Sequence, residues 1–491
     1  MRSSSRRVVA VAEQIASRWP ASLEPASLAG TTVLVAGLGR SGRSAALHLA
    51  GFGADVVACD DGQPERGELE RAGVEVHTGG TPVELLEGRK LLVVAPGLAE
   101  HHPLVRAALD GGVEVWSEVE LAARLTDLPM VGVTGTNGKT TTAELAAAMV
   151  AASGRCAVAA GNLGLPLIDA VLARQRPDAL VVELSSFQLR FTSTLRLVAG
   201  AWLNLAPDHL DWHGSLAAYA AAKARVWANQ GPGDWSLYAA DDPVVASHAT
   251  HASGMPVPFG VGRVPLGGLG VEAGIALSRV EGHEGPLWRA AALRLPGRHN
   301  LANALAASGM AMALGAHPTA MTRAVSAFRP GPHRLAEVAT VRGVRFVDDS
   351  KATNPHAAGR ALAAFPRVVW IAGGRNKGLA FDELAAEARS RLVGAVLIGE
   401  AAEDLAAALG RAGYQGPLVR AASIGEAVTV GFNLAEAGDT VLLAPACASF
   451  DMFSSYAERG EAFTASVARL AECSPGGAEI PREGGGRAAQ P

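Results

Sequence analysis

The stretch VGVTGTNGKTTTAEL, Val131 to Leu145, decides how the chain is read. An apolar run ends at Thr134, a glycine-rich turn follows, and an Ala-rich helical stretch runs on to Ser153. Strand, loop and helix in that order are the setting of a phosphate-binding loop. Glycines let backbone N–H groups close around phosphate oxygens, and the helix N-terminus adds the positive end of its dipole. Lys139 then reaches the β- and γ-phosphates of a nucleoside triphosphate, and the Thr140 hydroxyl ligates Mg²⁺. The spacing departs from G-x-x-x-x-G-K-[ST]: Val133 stands at the first glycine position, flanked by Gly132 and Gly135. The competing reading is an ordinary tight turn, which Gly138-Lys139-Thr140 in this setting argues against.

Upstream lies a second glycine loop, VLVAGLGRSGRSAAL, Val33 to Leu47. It matches G-x-G-x-x-G, and Asp60 follows about twenty residues on, where a dinucleotide fold binds ribose. Alone it reads as the NAD site of an oxidoreductase. That reading leaves Lys139, Thr140 and Lys223 without a role, and a cofactor absorbance change would identify it.

The chain has 491 residues, room for about three domains. Hydrophobic residues make up 49% and charged residues 18%, as in a globular protein with real cores. A net charge of −4 speaks against a general nucleic-acid binder. Cys59, Cys156, Cys447 and Cys473 form no C-x-x-C pair, which fits a reducing cytosol and neither a disulfide framework nor a zinc knuckle. No apolar run is long enough for a membrane span. Residues 1–29 are expected to be a flexible or weakly helical leader, and the Gly- and Pro-rich tail, 473–491, to be disordered.

Strands alternate with helices from Thr31 onward, which implies parallel sheets wrapped by helices. Three α/β units are expected: Rossmann-like over 30–125, a central P-loop ATPase-type sheet over 126–332, and a second Rossmann-like unit over 333–472. A small β-region is expected within 254–298.

Outside the loops, several side chains stand out. VVELSSFQL puts Glu183 at the end of a buried strand, a natural Mg²⁺ ligand. NLAPDHLDWHG crowds Asp208, His209, Asp211 and His213 together; a solvated loop and a zinc site are the alternatives. Lys223 sits on an alanine-dominated helix, where a lysine is ordinarily at the surface. Asn300 and Asn303 share a helix face, suited to bracketing a nucleobase or phosphate. Lys351 and Thr353 at a strand end suit a carboxylate.

GTNGKTT, with its altered glycine spacing, together with DHLD, HNxxN, GPHR, DSKATN and ACASFDMF in this order, resembles the Mur ligase family. These are ATP-dependent amide-forming enzymes of peptidoglycan precursor synthesis. The resemblance runs from about Thr31 to Leu470. It implies that Gly135, Thr136, Asn137, Gly138, Lys139, Thr140, Thr141, Asn300, Asn303, Arg334 and Asp349 contact ATP. Two Mg²⁺ ions are implied, held by Thr140, Glu183, His209 and a carbamate formed on Lys223 from CO₂. The first loop then binds a UDP-sugar rather than NAD, through Gly39, Arg40, Ser41 and Asp60, with Ala95, Pro96 and Gly97 against the uracil. Members often carry Arg two places after the acid, where this chain has Gly62.

DSKATN and ACASFDMF resemble the D-glutamate-adding members in particular. UDP-N-acetylmuramoyl-L-alanine and D-glutamate are the implied substrates, and Lys351, Thr353, Lys377, Ser449 and Tyr456 the implied amino-acid contacts. The family has Phe at the place of Tyr456. Lys139, Lys223, His209 and Asn162 are the implied catalytic set. The family also implies a cytoplasmic location, closure of the third domain on ATP, and a monomer with weak contacts to other wall-synthesis enzymes. Folate polyglutamate ligases share the ATP loop, but DSKATN and a UDP-type first domain are not expected in them. A non-enzyme alternative is an ATP-binding scaffold in wall synthesis.

Overall fold

The computed structural model describes residues 19–472 and the short strand Ala478–Glu479. Strands β1 (Thr32–Ala36), β2 (Asp55–Asp60), β3 (Glu75–Thr78), β4 (Leu91–Val94) and β5 (Glu114–Ser117) form a parallel sheet in the order β3-β2-β1-β4-β5. Helices cover both faces, so β1 and β4 are near-continuous runs of Val and Leu rather than alternating ones. The strand order reverses between β1 and β4, and ligands of such sheets bind in the crevice beyond that point. Gly37–Gly39 and Ala95–Gly97 follow these two strands directly.

The second sheet has nine strands: β6 (Met130–Thr134), β7 (Ala157–Gly161), β8 (Ala179–Glu183), β9 (Ala199–Trp202), β10 (Trp235–Ala239), β11 (Met255–Gly260), β12 (Leu269–Glu272), β13 (Ile275–Ser278) and β14 (Gly285–Arg289). Their order is β14-β13-β12-β11-β10-β9-β6-β8-β7. All pairs are parallel up to β12; the β12-β13-β14 meander is antiparallel and supplies the β-region expected over 254–298. Its last pair shifts register at Ala276/Leu277, and edge strand β14 carries Pro286. Every residue of β6 is buried, so the strand that delivers the phosphate loop is anchored on both faces.

Both sheets belong to one compact unit, with Leu301–Phe328. A second unit takes Arg294–Asn300 and the chain from Arg329 onward. Its sheet comprises β15 (Ala336–Val341), β16 (Val344–Asp348), β17 (Val368–Gly373), β18 (Leu392–Ile398), β19 (Leu418–Arg420), β20 (Thr440–Leu443) and β21 (Ala478–Glu479), in the order β19-β18-β17-β20-β16-β15-β21. The five strands β16 to β20 are mutually parallel; β15 and β21 are antiparallel additions.

Two expectations need correction. Residues 19–29 do not behave as a loose leader. Leu23 and Leu28 are buried, and Trp19 meets Trp116 edge-on with ring centroids 5.5 Å apart. Enough apolar surface is buried there to order the segment. The first eighteen residues lie outside those described. In the tail, Ala478–Glu479 pairs with Thr340–Val341 of β15, because backbone ladder bonds need no apolar side chains.

Within the first unit, the first two sheets' domains meet over a buried ion pair. Glu120 and Arg124 are 2.7 Å apart and almost fully shielded from water. Glu120 also accepts from the backbone N–H groups of Ser193, Thr194 and Leu195 and from the hydroxyls of Ser193 and Thr194. Burial pushes this carboxyl up, but Arg124 and these donors outweigh it and hold it below the usual glutamate range. A depressed carboxylate contributes stability above its unfolded pKa and loses it as pH falls. Glu120→Gln is therefore expected to cost about 3 kcal/mol at pH 7, as for a broken buried pair. In urea titrations the difference from wild type should shrink as pH falls below the usual glutamate range; a constant difference would contradict the ion-pair account.

Candidate active site

Gly135–Gly138 turn sharply out of β6 into the Lys139–Ala152 helix. Gly138 caps that helix at φ 91°, and a Cβ there would run into the Asn303 side-chain amide, so the position needs glycine twice over. Asn303 thus lies against the loop. Asn300 is buried too, donating to the Pro296 carbonyl at 2.7 Å. Lys139 Nζ donates to the carbonyls of Gly135 and Thr136 at 2.9 and 3.0 Å. Thr136 bonds its hydroxyl to the Ala206 carbonyl, and Thr141 is buried behind it. Thr140 is the second residue of the helix and is half-buried.

Lys223 is 1% exposed, and its Nζ donates to the same Gly135 carbonyl at 2.9 Å. Burial first, and then the charge of Lys139, hold its ammonium well below the usual lysine range; Asp208 and Glu183 oppose the shift. The surface reading of this residue is excluded. The same surroundings push His213 down to about 4, through burial first and then the Lys223 charge. His213 contacts the Ser186 hydroxyl at 2.9 Å. His209 occupies a left-handed backbone position, φ 53°, with its ring 4.8 Å from that of Phe187. Such a conformation costs a β-carbon-bearing residue about 1–3 kcal/mol and clusters at functional sites.

Glu183, 2% exposed, ends β8. Its Oε1 accepts from Asn162 Nδ2 at 2.7 Å, while Oε2 is buried without a hydrogen-bond partner. An orphaned, buried carboxylate oxygen fits a cation. Among the described residues no three His, Cys, Asp or Glu side chains converge on one point as a protein-only cage. That argues against zinc and fits Mg²⁺, which takes one or two carboxylates and completes its shell with phosphate oxygens and water.

In the first loop, Asp60 is occupied by the backbone. It accepts from the N–H of Leu38 at 2.5 Å and of Gly62 at 2.7 Å. The acid shapes the loop, and Gly62 contributes through its amide. Gly39 caps the Arg40–Gly51 helix, Ser41 lies in its first turn, and Arg40 donates to the Gly164 carbonyl at 2.7 Å.

In the second unit, Lys351 Nζ lies 3.6 Å from the Tyr456 ring centroid, a cation–π contact. Thr353 follows in a tight turn, its N–H donating to the Lys351 carbonyl. Ser449 is buried beside the Arg375–Ala448 bridge, and Lys377 follows Asn376, whose side chain closes its loop onto Leu379. Burial pushes Asp349 up to about 7, and Arg334 opposes that rise. Expected amino-acid contacts and nucleotide contacts are thus gathered at one end of the third sheet, after β16, β17 and β20.

Comparison with known sequences matches three family descriptions in chain order. A Mur ligase MurD-like N-terminal domain covers residues 31–117, a Mur ligase middle domain 133–311, and a Mur ligase glutamate ligase domain 333–447. A curated relative from Frankia casuarinae, named UDP-N-acetylmuramoylalanine–D-glutamate ligase, is 49% identical over 90% of this chain and 94% of its own. The chain belongs to the Mur ligase family. A relative of the same name from Streptomyces coelicolor is 44% identical over 91% of this chain and 99% of its own. Among solved structures, the UDP-N-acetylmuramate-alanine ligase of Thermotoga maritima shares the fold at a TM-score of 0.56 and 18% identity, covering 89% of this chain and 99% of its own.

Two supporting residues of this Mur ligase site were not singled out from sequence. Asn204 holds the phosphate loop: its Oδ1 accepts from the Asn137 N–H at 3.0 Å, its Nδ2 donates to the Asn137 carbonyl at 2.9 Å, and its own carbonyl accepts from Thr136 N–H. Arg459, fully buried, donates to the Ser350 hydroxyl and carbonyl and to the carbonyls of Cys447 and Ala448. Asn204 stands in the quoted NLAPDHLD stretch, but nothing local marks its role; Arg459 lies in a helix that reads as amphipathic surface. Asn204→Ala removes two hydrogen bonds worth about 1 kcal/mol each, so nucleotide affinity by calorimetry is expected to fall about tenfold or more.

Proposed function

We propose that the chain is the ATP-dependent ligase that adds D-glutamate to UDP-N-acetylmuramoyl-L-alanine, by way of an acyl phosphate, in cytoplasmic peptidoglycan precursor synthesis. The relatives from Frankia casuarinae and Streptomyces coelicolor carry this activity in their names, and they match this chain over nearly its whole length. The observation that carries the reading is the convergence of Lys139 and Lys223 on one carbonyl of a phosphate loop, within electrostatic reach of Glu183.

A carboxylate oxygen of the L-alanine unit attacks the γ-phosphorus of ATP. The new O–P bond forms as the bond to ADP breaks, giving the acyl phosphate. Lys139 hydrogen-bonds the phosphoryl oxygens as they move, and Asn300, Asn303, Arg334 and Asp349 are the further residues we assign to ATP. The D-glutamate amine then attacks the acyl carbon and loses a proton; the tetrahedral intermediate expels phosphate and leaves an amide. Lys351, Thr353, Lys377, Ser449 and Tyr456 hold D-glutamate, two cations against two carboxylates. Gly39, Arg40, Ser41, Asp60, Ala95, Pro96 and Gly97 take the UDP end, and Asn162 lies toward the reacting carboxylate.

Thr140 and Glu183 would hold one Mg²⁺, and His209 with a modified Lys223 a second. Mg²⁺ bound there offsets the charge that builds on the phosphoryl oxygens. A lysine kept neutral by burial adds CO₂ at Nζ, forming an N–C bond and releasing one proton, which turns a buried amine into an anionic carbamate.

Phosphate release from ATP should require both UDP-N-acetylmuramoyl-L-alanine and D-glutamate, with L-glutamate inactive. Release under no pairing while ATP still binds would sink the ligase reading and favour a nucleotide-binding scaffold. Stripping CO₂ should lower wild-type turnover at least tenfold, with recovery on adding bicarbonate. Lys223→Ala should be at least 100-fold slower and indifferent to bicarbonate, whereas a bicarbonate-independent wild type would exclude the carbamate.

A further inference from the structure

Between β7 and the Leu167–Val171 helix runs a short segment that touches both ends of the chemistry. At its start, the Asn162 side chain donates to Glu183 Oε1 at 2.7 Å and its backbone N–H to the Glu183 carbonyl at 2.9 Å. Two residues on, the Gly164 carbonyl takes the Arg40 guanidinium from the first glycine loop. Further along, Asp169 Oδ1 receives the Ser44 hydroxyl and the His48 ring, also from the first domain. A five-residue helix does not hold itself in place, so these outside bonds decide where the segment lies.

None of the bonds from the first domain named so far is fully buried. The Arg40–Gly164 bond is exposed, and His48 and Asp169 are each about one-third exposed. Glu118 differs. It is 2% exposed, and its Oε1 accepts the Ile168 N–H at 2.6 Å, while Oε2 is buried without a partner. Burial pushes the carboxyl up to about 7, and the nearby Asp169 adds to the rise. A half-satisfied buried carboxyl is a costly way to fill a core position. Its reach to Ile168 is what an apolar side chain of the same size could not supply.

We propose that Glu118 is a positioning residue for the ligation: through the Ile168 N–H it fixes the Leu163–Asp169 segment that follows Asn162, and with it the angle at which the Asn162 side chain steers Glu183. The inference rests on the ligase reading for its kinetics, and the first domain thereby sets the orientation of a carboxylate in the second. Asn162 engages one oxygen of Glu183 and leaves the other turned to the cation position. When the segment slips, the Asn162 backbone keeps its bond to the Glu183 carbonyl but its side chain turns away from Oε1, and Glu183 loses its fixed rotamer.

The test uses the full chain. Glu118→Ala is expected to lower kcat at least tenfold, with KM for ATP and for the UDP-sugar within threefold of wild type. Glu118→Gln, whose amide oxygen accepts the same N–H, is expected to stay within threefold of wild type throughout. In an Asn162→Ala background, Glu118→Ala should add less than a threefold further loss, because both act through the same contact. Unchanged kcat in Glu118→Ala, an equal loss in Glu118→Gln, or losses that multiply fully in the double variant would overturn the proposal. Amide hydrogen exchange over residues 161–171 reads the same effect without turnover: faster in Glu118→Ala and wild-type-like in Glu118→Gln. Equal exchange in all three proteins overturns the positioning role even if the ligase assignment itself fails, and an inactive wild type with the expected exchange pattern points to that assignment instead.

Discussion

One backbone carbonyl organises the reaction centre. Gly135 accepts from both Lys139 and Lys223, two ammonium groups that would repel each other in any less constrained setting. Their shared acceptor is fixed by β6, buried on both sides, and by the loop that Asn204 clamps. The charge of Lys139 adds to the burial of Lys223, so the lysine of the phosphate loop prepares its neighbour to be a neutral amine. A carbamate on Lys223 would reverse the sign of that interaction, turning repulsion between two cations into attraction between a cation and an anion. The loop geometry and the chemistry of Lys223 are therefore one constraint, not two.

What could be read along the chain was what local spacing encodes. The phosphate loop, the strand-end carboxylate Glu183, the parallel α/β units and the β-rich stretch near residue 270 are all statements about neighbours in sequence, and the structure carries each of them. Lys223 is instructive in the other direction. Its alanine-rich helix taken alone reads as a surface helix; the family resemblance gives it a site role, and the fold turns this face inward. Asp60 reads as a ligand contact because an acid at that spacing ordinarily meets ribose; what spacing does not report is that its two oxygens also accept from the loop amides of Leu38 and Gly62. Asn204, Glu118 and Arg459 act across separations of dozens to more than a hundred residues, and no period or motif reports such pairings.

Arg459 shows how the second unit solves a related problem. Its loops after β16 and β20 must present Lys351 and Ser449 together, though about a hundred residues separate them. A buried guanidinium spans the gap with donors directed at Ser350 on one side and at Cys447 and Ala448 on the other. Five N–H groups in a rigid fork suit this better than a lysine, whose single nitrogen could not reach both loops in fixed geometry. Burial lowers the guanidinium to about 10, still fully protonated at neutral pH, so the tie persists across the physiological range. Left-handed backbone at His333 and Ala446 on either side of it marks where the chain bends to comply.

The nine-stranded sheet ends on β14, and an edge strand of an open sheet is an invitation to other chains. Pro286 lies in that strand next to Leu287, the residue the register shift leaves unpaired. Proline has no N–H to offer, and the shift breaks the even spacing of the ladder. The Leu287 carbonyl of the same strand is already taken by the Thr322 hydroxyl of the Pro318–Ala327 helix, so a strand arriving from another copy meets an irregular and partly occupied edge. The long meander can therefore extend the sheet outward without turning the protein into a template for its own aggregation.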